Sequence, residues 1–132
     1  DWNIGTFLEY GIRHLKVNTL VVCGHEECGA MKALSSGESG DDVHIPGWLS
    51  HAHTALEMVE KRGKKPSDPE EARKWQSELE IENVKLQLKN LRTYQVVREA
   101  EDAGRLRVIG LYYRMSTAKL EVIEPGKPLN AE

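Results

Sequence analysis

The chain has 132 residues, which is enough for one compact domain, and we expect residues 1–132 to form it. The net charge of −3 and the aromatic content of 6% argue against nucleic-acid binding, which requires a basic surface or an aromatic stacking platform. No apolar run approaches the roughly 18 residues of a membrane span, so we expect a soluble protein that does not bind membranes. The two cysteines, Cys23 and Cys28, are too few for a secreted disulfide scaffold and predict a cytoplasmic location.

Five segments have the residue spacing or end signals of helices. Thr6 and Glu9 form a capping box that predicts the start of the first helix. Asp68 followed by Pro69 predicts the start of a long helix, whose charge-rich front part is expected to face solvent. The third helix is expected to bury one face, formed by Trp48, Ala52, Ala55, Leu56 and Val59. The predicted helices are residues 6–16, 30–34, 48–62, 69–91 and 96–103.

Three short runs predict strands. Residues 19–24 are apolar and β-branched, which favours a strand covered by helices on both faces, as in a parallel sheet. Residues 106–113 and 119–123 alternate across a turn at 116–118 and predict a terminal hairpin, and residues 125–132 resemble a polar tail. The order of elements indicates an α/β fold with a parallel sheet core, flanking helices and a C-terminal strand hairpin.

One segment, Cys23-Gly24-His25-Glu26-Glu27-Cys28-Gly29-Ala30, combines residues that bind metals. It places the His25 imidazole and the Cys28 thiol three positions apart, at the carboxyl end of a predicted parallel strand. Open α/β sheets bind ligands at that end, and zinc prefers thiolate and imidazole ligands. Cys28 also precedes a helix start, where the helix dipole favours the thiolate. The segment is therefore a candidate zinc site.

The spacing by itself leaves other interpretations open, because His-x-x-Cys is common by chance. Cys23 is then an ordinary buried small residue and His25 a loop histidine. Cys23 is also a candidate additional metal ligand, since residues two apart on a strand face the same side. A redox role for the two thiols is a more distant alternative, because their spacing is not C-x-x-C. Three further histidines are expected to be solvated or to pack on helices, and they are His44, His51 and His53.

The same segment and several later ones resemble the β-class carbonic anhydrases over about residues 7–124. The family has a Cys-Gly-His-x-x-Cys-Gly-Ala pattern after a strand, as residues 23–30 do here. The later matches, in the order of the family, are Glu82-Asn83-Val84, Asn90-Leu91-Arg92-Thr93-Tyr94, Val97-Arg98-Glu99-Ala100 and the hairpin from Gly110 to Leu120.

The resemblance implies a zinc ion held by two cysteines and one histidine. His25 and Cys28 match the histidine and the second cysteine, and Gly29 is expected to shape the substrate side of the metal. The family carries its first cysteine in an earlier Cys-x-Asp-x-Arg motif, whose Asp and Arg form a catalytic dyad. That motif is absent from this sequence, so we expect an N-terminally truncated relative and can assign no catalytic residue.

The function implied by the resemblance is reversible hydration of carbon dioxide to bicarbonate by a zinc lyase. We expect that activity to be weak or lost, because one zinc cysteine and the dyad are missing. The alternative is a non-catalytic zinc-binding or interaction module of the same fold. Family members assemble, and the terminal hairpin leaves an exposed edge, so a homodimer is expected. Tyr113 resembles a tyrosine of the family that faces the active-site pocket, although a packing role fits it equally well.

Overall fold

The computed structural model describes residues 1–131. Its sheet has three strands in the order β1-β2-β3. Strand β1 (Thr19–His25) runs parallel to β2 (Arg107–Arg114), which pairs antiparallel with β3 (Lys119–Glu124). The predicted α/β architecture and terminal hairpin are confirmed. No helix within the described range is long and apolar enough to cross a membrane.

Six α-helices accompany the sheet across the described residues. A π-helical turn, Tyr10–His14, continues α1, and a 3-10 turn, Ser50–Ala52, joins α3 to α4. The helices are α1 (Trp2–Glu9), α2 (Gly29–Ser36), α3 (Ile45–Leu49), α4 (His53–Arg62), α5 (Pro69–Leu91) and α6 (Gln95–Asp102).

The first helix begins earlier than the sequence predicts. The Asp1 carboxylate accepts hydrogen bonds from the backbone N–H groups of Asn3 (2.7 Å) and Ile4 (3.2 Å), so it caps α1. The capping box predicted at Thr6 and Glu9 is therefore wrong, because both residues lie inside the helix.

Two hydrophobic clusters meet on α5. The first packs α1, α5 and α6 against one face of the sheet, and its buried residues include Leu8, Val84, Leu88, Val97 and Val108. The second packs α2 and α4 against the front of α5, and its buried residues include Met31, Leu56, Val59, Trp75 and Leu79. The predicted solvation of that front part is consequently wrong in part, because α2 and α4 cover one side of it.

The other face of the sheet is exposed. Val21 is 51% exposed and Cys23 is also exposed, because they alternate with Leu20 and Val22, which pack on the helical side. The prediction that helices cover this strand on both faces is therefore wrong. The apolar run of β1 instead gives the sheet one packed face and one open apolar face.

Trp48 is exposed, although the sequence predicts that it is buried. Its side chain is 64% exposed, whereas Ala52, Ala55, Leu56 and Val59 are buried as predicted. The 3-10 turn between α3 and α4 changes the angular spacing of residues, so Trp48 does not continue the buried stripe of α4.

The predicted polar tail is tied to the fold near its end. The Asn130 backbone N–H donates to the Gly104 carbonyl oxygen (2.9 Å), and its side-chain amide donates to the Ala103 carbonyl oxygen (2.8 Å). These bonds satisfy carbonyl groups just after α6. Residue 132, the last of the predicted tail, lies outside the described residues.

Candidate metal centre

His25 is the last residue of β1, one position beyond the predicted end of the strand, so it does not lie in the following loop as the sequence predicts. It is exposed, and it lies in register with Tyr113 of β2. Its Nδ1 lies 3.0 Å from the Glu26 carbonyl oxygen. A carbonyl oxygen only accepts, so we assign the ring proton to Nδ1, which leaves the Nε2 lone pair free. Metal-binding histidines commonly have this arrangement, with the second nitrogen held by a carbonyl or carboxylate oxygen.

The loop after His25 is fixed to the terminal hairpin. The Glu26 backbone N–H donates to the Tyr113 carbonyl oxygen (2.9 Å), and the Glu26 carboxylate accepts from the Ser116 backbone N–H (2.8 Å). The Ser116 hydrogen bond, supported by the charge of Arg114, lowers the pKa of Glu26 below its ordinary value. The charged Glu26 thus joins the loop between His25 and Cys28, called the metal loop below, to the hairpin turn.

Cys28 is the N-cap residue of α2, so the predicted position of this thiol before a helix start is confirmed. The thiol is free and partly buried. The Cys28 backbone N–H donates to Oε1 of Glu80 on α5 (2.9 Å). Next to it, a side chain at Gly29 would meet no other atom within 4 Å, so the space beside the start of α2 is open.

Cys23 lies on the open sheet face, two residues before His25 on the same strand. Its exposed thiol donates to the Gly24 carbonyl oxygen over 3.5 Å. The interpretation of Cys23 as a buried core residue is therefore wrong, because the face that it occupies is not covered. Within residues 1–131, no group of three or more His, Cys, Asp or Glu side chains is arranged to hold a metal ion.

A buried carboxylate that is not among the predicted site residues, that of Glu80, lies beneath this loop. Glu80 accepts from the Cys28 backbone, from the Tyr112 hydroxyl (2.5 Å) and from the Gln76 side-chain amide (3.3 Å). Burial and the hydrogen bond to Glu80 raise the pKa of Tyr112, which keeps its hydroxyl a donor. The sequence holds a signal for Glu80, because it lies four residues before Val84 and eight before Leu88, on one stripe of α5.

The other histidines have solvated positions, as predicted. His44, His51 and His53 are exposed, and the His53 ring lies 3.5 Å from the Glu57 carboxylate one helical turn away. None of the three belongs to a metal-binding group of the described residues.

The profile of the family described as carbonic anhydrase matches residues 1–120. A carbonic anhydrase of Pseudomonas aeruginosa is 34% identical over 122 residues, which cover 92% of this chain and 53% of that protein. A carbonic anhydrase of Synechococcus elongatus is 33% identical over 120 residues, covering 88% of this chain and 42% of that protein. The chain thus spans about half the length of these curated relatives.

Solved structures show the same fold. A β-carbonic anhydrase of Aspergillus fumigatus superposes with a TM-score of 0.80 at 28% identity, covering 97% of this chain and 59% of that one. A structure from Sordaria macrospora, one of two described as tetrameric β-carbonic anhydrases, superposes with a TM-score of 0.82 at 23% identity, covering 96% of this chain and 62% of that one. Together with the matching profile, these similarities show that the chain belongs to the β-class carbonic anhydrase family.

Proposed function

We propose that the chain binds zinc through His25 and Cys28 and takes part in the reversible hydration of carbon dioxide. The observation that carries the proposal is the orientation of His25, whose Nδ1 faces a carbonyl oxygen and whose Nε2 is free. The free thiol of Cys28 is the second donor. Bound zinc lowers the pKa of water to about 7, which supplies hydroxide at neutral pH.

The residues around the pair have distinct roles in this proposal. Hydrogen bonds from Ser116 to Glu26 and from Cys28 to Glu80 fix both ends of the loop between the two donors. The open space at Gly29 leaves room for a molecule as small as carbon dioxide beside the metal. Cys23 lies on the same strand face as His25 and is a candidate additional ligand, but it could join His25 and Cys28 on one ion only if the end of β1 moved, since the three are not grouped in this structure.

We expect turnover in this chain to be slow or absent. A catalytic zinc site usually has three protein ligands and one position for water. His25 and Cys28 supply two, and the described residues form no group of three. The sequence also lacks the Asp and Arg of the Cys-x-Asp-x-Arg motif.

The test is zinc content measured together with carbon dioxide hydration. We expect dialysed wild-type protein to retain zinc, and the variants His25→Ala and Cys28→Ser to lose most of it. His53→Ala is the matched control, since this exposed histidine lies beside Glu57 and belongs to no metal-binding group of the described residues, so zinc content should not change. Wild-type protein without zinc contradicts the proposal, and turnover at the rate of a complete enzyme contradicts the expected loss of activity.

A second candidate function is a non-catalytic zinc-binding or interaction module of the same fold. The incomplete ligand set and the open apolar sheet face favour it. Zinc retained stoichiometrically without measurable hydration supports this function. Hydration that disappears in Cys28→Ser supports the enzyme instead.

We further propose that the protein is a single-domain, cytoplasmic homodimer. The two hydrophobic clusters share α5, which supports one domain. The low cysteine count, two in 132 residues, fits a reducing compartment. The open face exposes Leu120 and Val122 of β3, and α1 exposes Trp2 and Phe7, so apolar surface is available for a second copy.

A further inference from the structure

Glu80 is a buried carboxylate without a cationic partner among the described residues. Its side chain is 3% exposed, and it forms no ion pair with any lysine, arginine or histidine of residues 1–131. A buried charge of this kind is costly unless hydrogen-bond donors replace the lost water. The structure supplies three donors, one from the metal loop, one from β2 and one from α5.

The two oxygens of Glu80 are held differently. Oε2 accepts from the Tyr112 hydroxyl at 2.5 Å, and Tyr112 is completely buried in β2. Oε1 accepts from the Gln76 amide at 3.3 Å and from the Cys28 backbone N–H at 2.9 Å. Because Tyr112 and Gln76 fix the orientation of the carboxylate, its Oε1 presents a fixed acceptor to the loop.

The metal loop contains a strained residue next to Cys28, so a hydrogen bond at Cys28 helps to hold its conformation. Glu27 has a φ of 60°, a left-handed conformation that is unfavourable for a residue with a side chain. Cys28 follows it directly and caps α2 with no side-chain hydrogen bond of its own. The hydrogen bond to Glu80 therefore ties down the residue at which the chain leaves the strained position and enters α2.

We propose that Glu80 is a positioning residue for the candidate metal ligand Cys28. Its carboxylate holds the Cys28 backbone so that the thiol stays within reach of a metal ion on the His25 imidazole. This inference rests on the proposed binding of zinc by His25 and Cys28. It assigns the effect to the hydrogen-bond acceptor and not to the negative charge of Glu80.

Zinc affinity measured by competition with a chelator tests the proposal, with Co²⁺ absorption as a second readout of ligand geometry. Glu80→Leu removes the acceptor and should weaken zinc binding by about 10-fold or more, as is typical for groups that support metal ligands. Glu80→Gln keeps a side-chain oxygen for the Cys28 N–H and should bind within about threefold of wild type, a small part of that loss.

Two further variants complete the test, one as a control and one as a second loss of the contact. Glu82→Gln changes another buried glutamate of α5, one that pairs with Arg62 and not with the metal loop, so zinc binding should not change. Glu80→Asp keeps the charge but withdraws the carboxylate by one methylene. It should weaken zinc binding as Glu80→Leu does, and it replaces that variant if Glu80→Leu does not fold.

Hydrogen exchange of the Cys28 amide in metal-free protein separates this inference from the proposed function. We expect faster exchange in Glu80→Leu and Glu80→Asp, and wild-type exchange in Glu80→Gln and Glu82→Gln.

Unchanged exchange in Glu80→Leu and Glu80→Asp overturns the positioning role. Equal weakening of zinc binding by Glu80→Gln and Glu80→Leu also overturns it, because the charge would then be responsible. Wild-type protein that binds no zinc overturns the proposed function, while the exchange data still decide whether Glu80 holds the loop.

Discussion

Arg92 joins three elements of the fold with one side chain. Its guanidinium donates two hydrogen bonds to Glu101 of α6, at 2.9 and 2.8 Å, and two to Glu124 of β3, at 3.3 and 2.7 Å. Glu101 is only 5% exposed, so it depends on this partner. The hydrogen bonds from Arg92 lower the pKa of Glu101 below its ordinary value of 4.5.

Replacing Arg92 should destabilise the protein in a pH-dependent way. Arg92→Met leaves the buried Glu101 carboxylate unpaired, which costs about 3 kcal/mol of unfolding free energy near pH 7. A glutamate with a lowered folded pKa contributes stability above its unfolded pKa and loses it as the pH falls through the folded value. The difference between wild type and Arg92→Met should therefore be complete at neutral pH and shrink below about pH 4.5. Urea unfolding of both proteins at several pH values measures this difference in unfolding free energy.

An exposed ion pair provides the comparison for Arg92. Lys74 lies 2.8 Å from the Glu71 carboxylate on the surface of α5. Lys74→Met should cost at most about 0.5 kcal/mol, as is usual for exposed helix pairs. An equal loss of stability in Lys74→Met and Arg92→Met, or a loss in Arg92→Met that persists at low pH, would contradict the assigned role of Glu101.

At the scale of elements, glycine determines how closely α5 approaches the sheet. A side-chain methyl group at Gly24 of β1 would lie 2.5 Å from Cγ2 of Val84, and one at Gly110 of β2 would lie 2.6 Å from Cδ1 of Leu88. Both contacts are closer than carbon atoms can approach. The absence of a side chain at these two positions, one on each strand, therefore lets α5 approach the sheet closely and brings Glu80 near the end of β1.

Gly24→Ala should reduce the unfolding free energy by about 1–3 kcal/mol, because the added methyl overpacks a buried contact. Val84 is β-branched and cannot turn away easily. The double variant Gly24→Ala with Val84→Ala should recover part of the loss, and thermal unfolding measures both. Gly47→Ala is the control, since its new methyl group would meet no other atom within 4 Å and it lies within α3. A fully stable Gly24→Ala protein would show that α5 packs further from β1.

For the molecule as a whole, the open sheet face is an apolar surface available for assembly. Residues in register across the strands bring Cys23, Leu111 and Val122 side by side, with Tyr113 and Leu120 in the next row. Leu120 and Val122 are 60% and 62% exposed. A surface of adjacent apolar side chains on a sheet favours burial against another chain.

The proposed homodimer can be tested by charging this face. The double variant Leu120→Lys with Val122→Lys should sediment as a monomer, whereas wild type should sediment as a dimer. Lys119→Ala, which changes an exposed residue at the start of the same strand, should remain dimeric. A monomeric wild-type protein, or a dimer that survives both lysines, would contradict assembly through this face.

The family motif and the element order follow from the sequence because they depend on residues close together in the chain. The His25 and Cys28 pair, the Asp68 cap of α5 and the alternating hairpin strands each involve neighbours within a few positions. The apolar pattern does not indicate the early start of α1, because the Asp1 cap precedes that pattern. Helical periodicity does not indicate the exposure of Trp48, because a short 3-10 turn changes the spacing of the helix.

The family, the α/β class and the two candidate zinc ligands can all be predicted from sequence motifs and strand, loop and helix signals, because these involve residues close together in the chain. The folded structure was needed to show that the face of β1 bearing Cys23 is open, that Glu80 accepts from the Cys28 backbone, and that Arg92 joins α6 to β3. These contacts join residues such as Cys28 and Glu80, 52 positions apart. No local sequence pattern specifies which residues so far apart in the chain come into contact, because that depends on how α5 packs against the sheet.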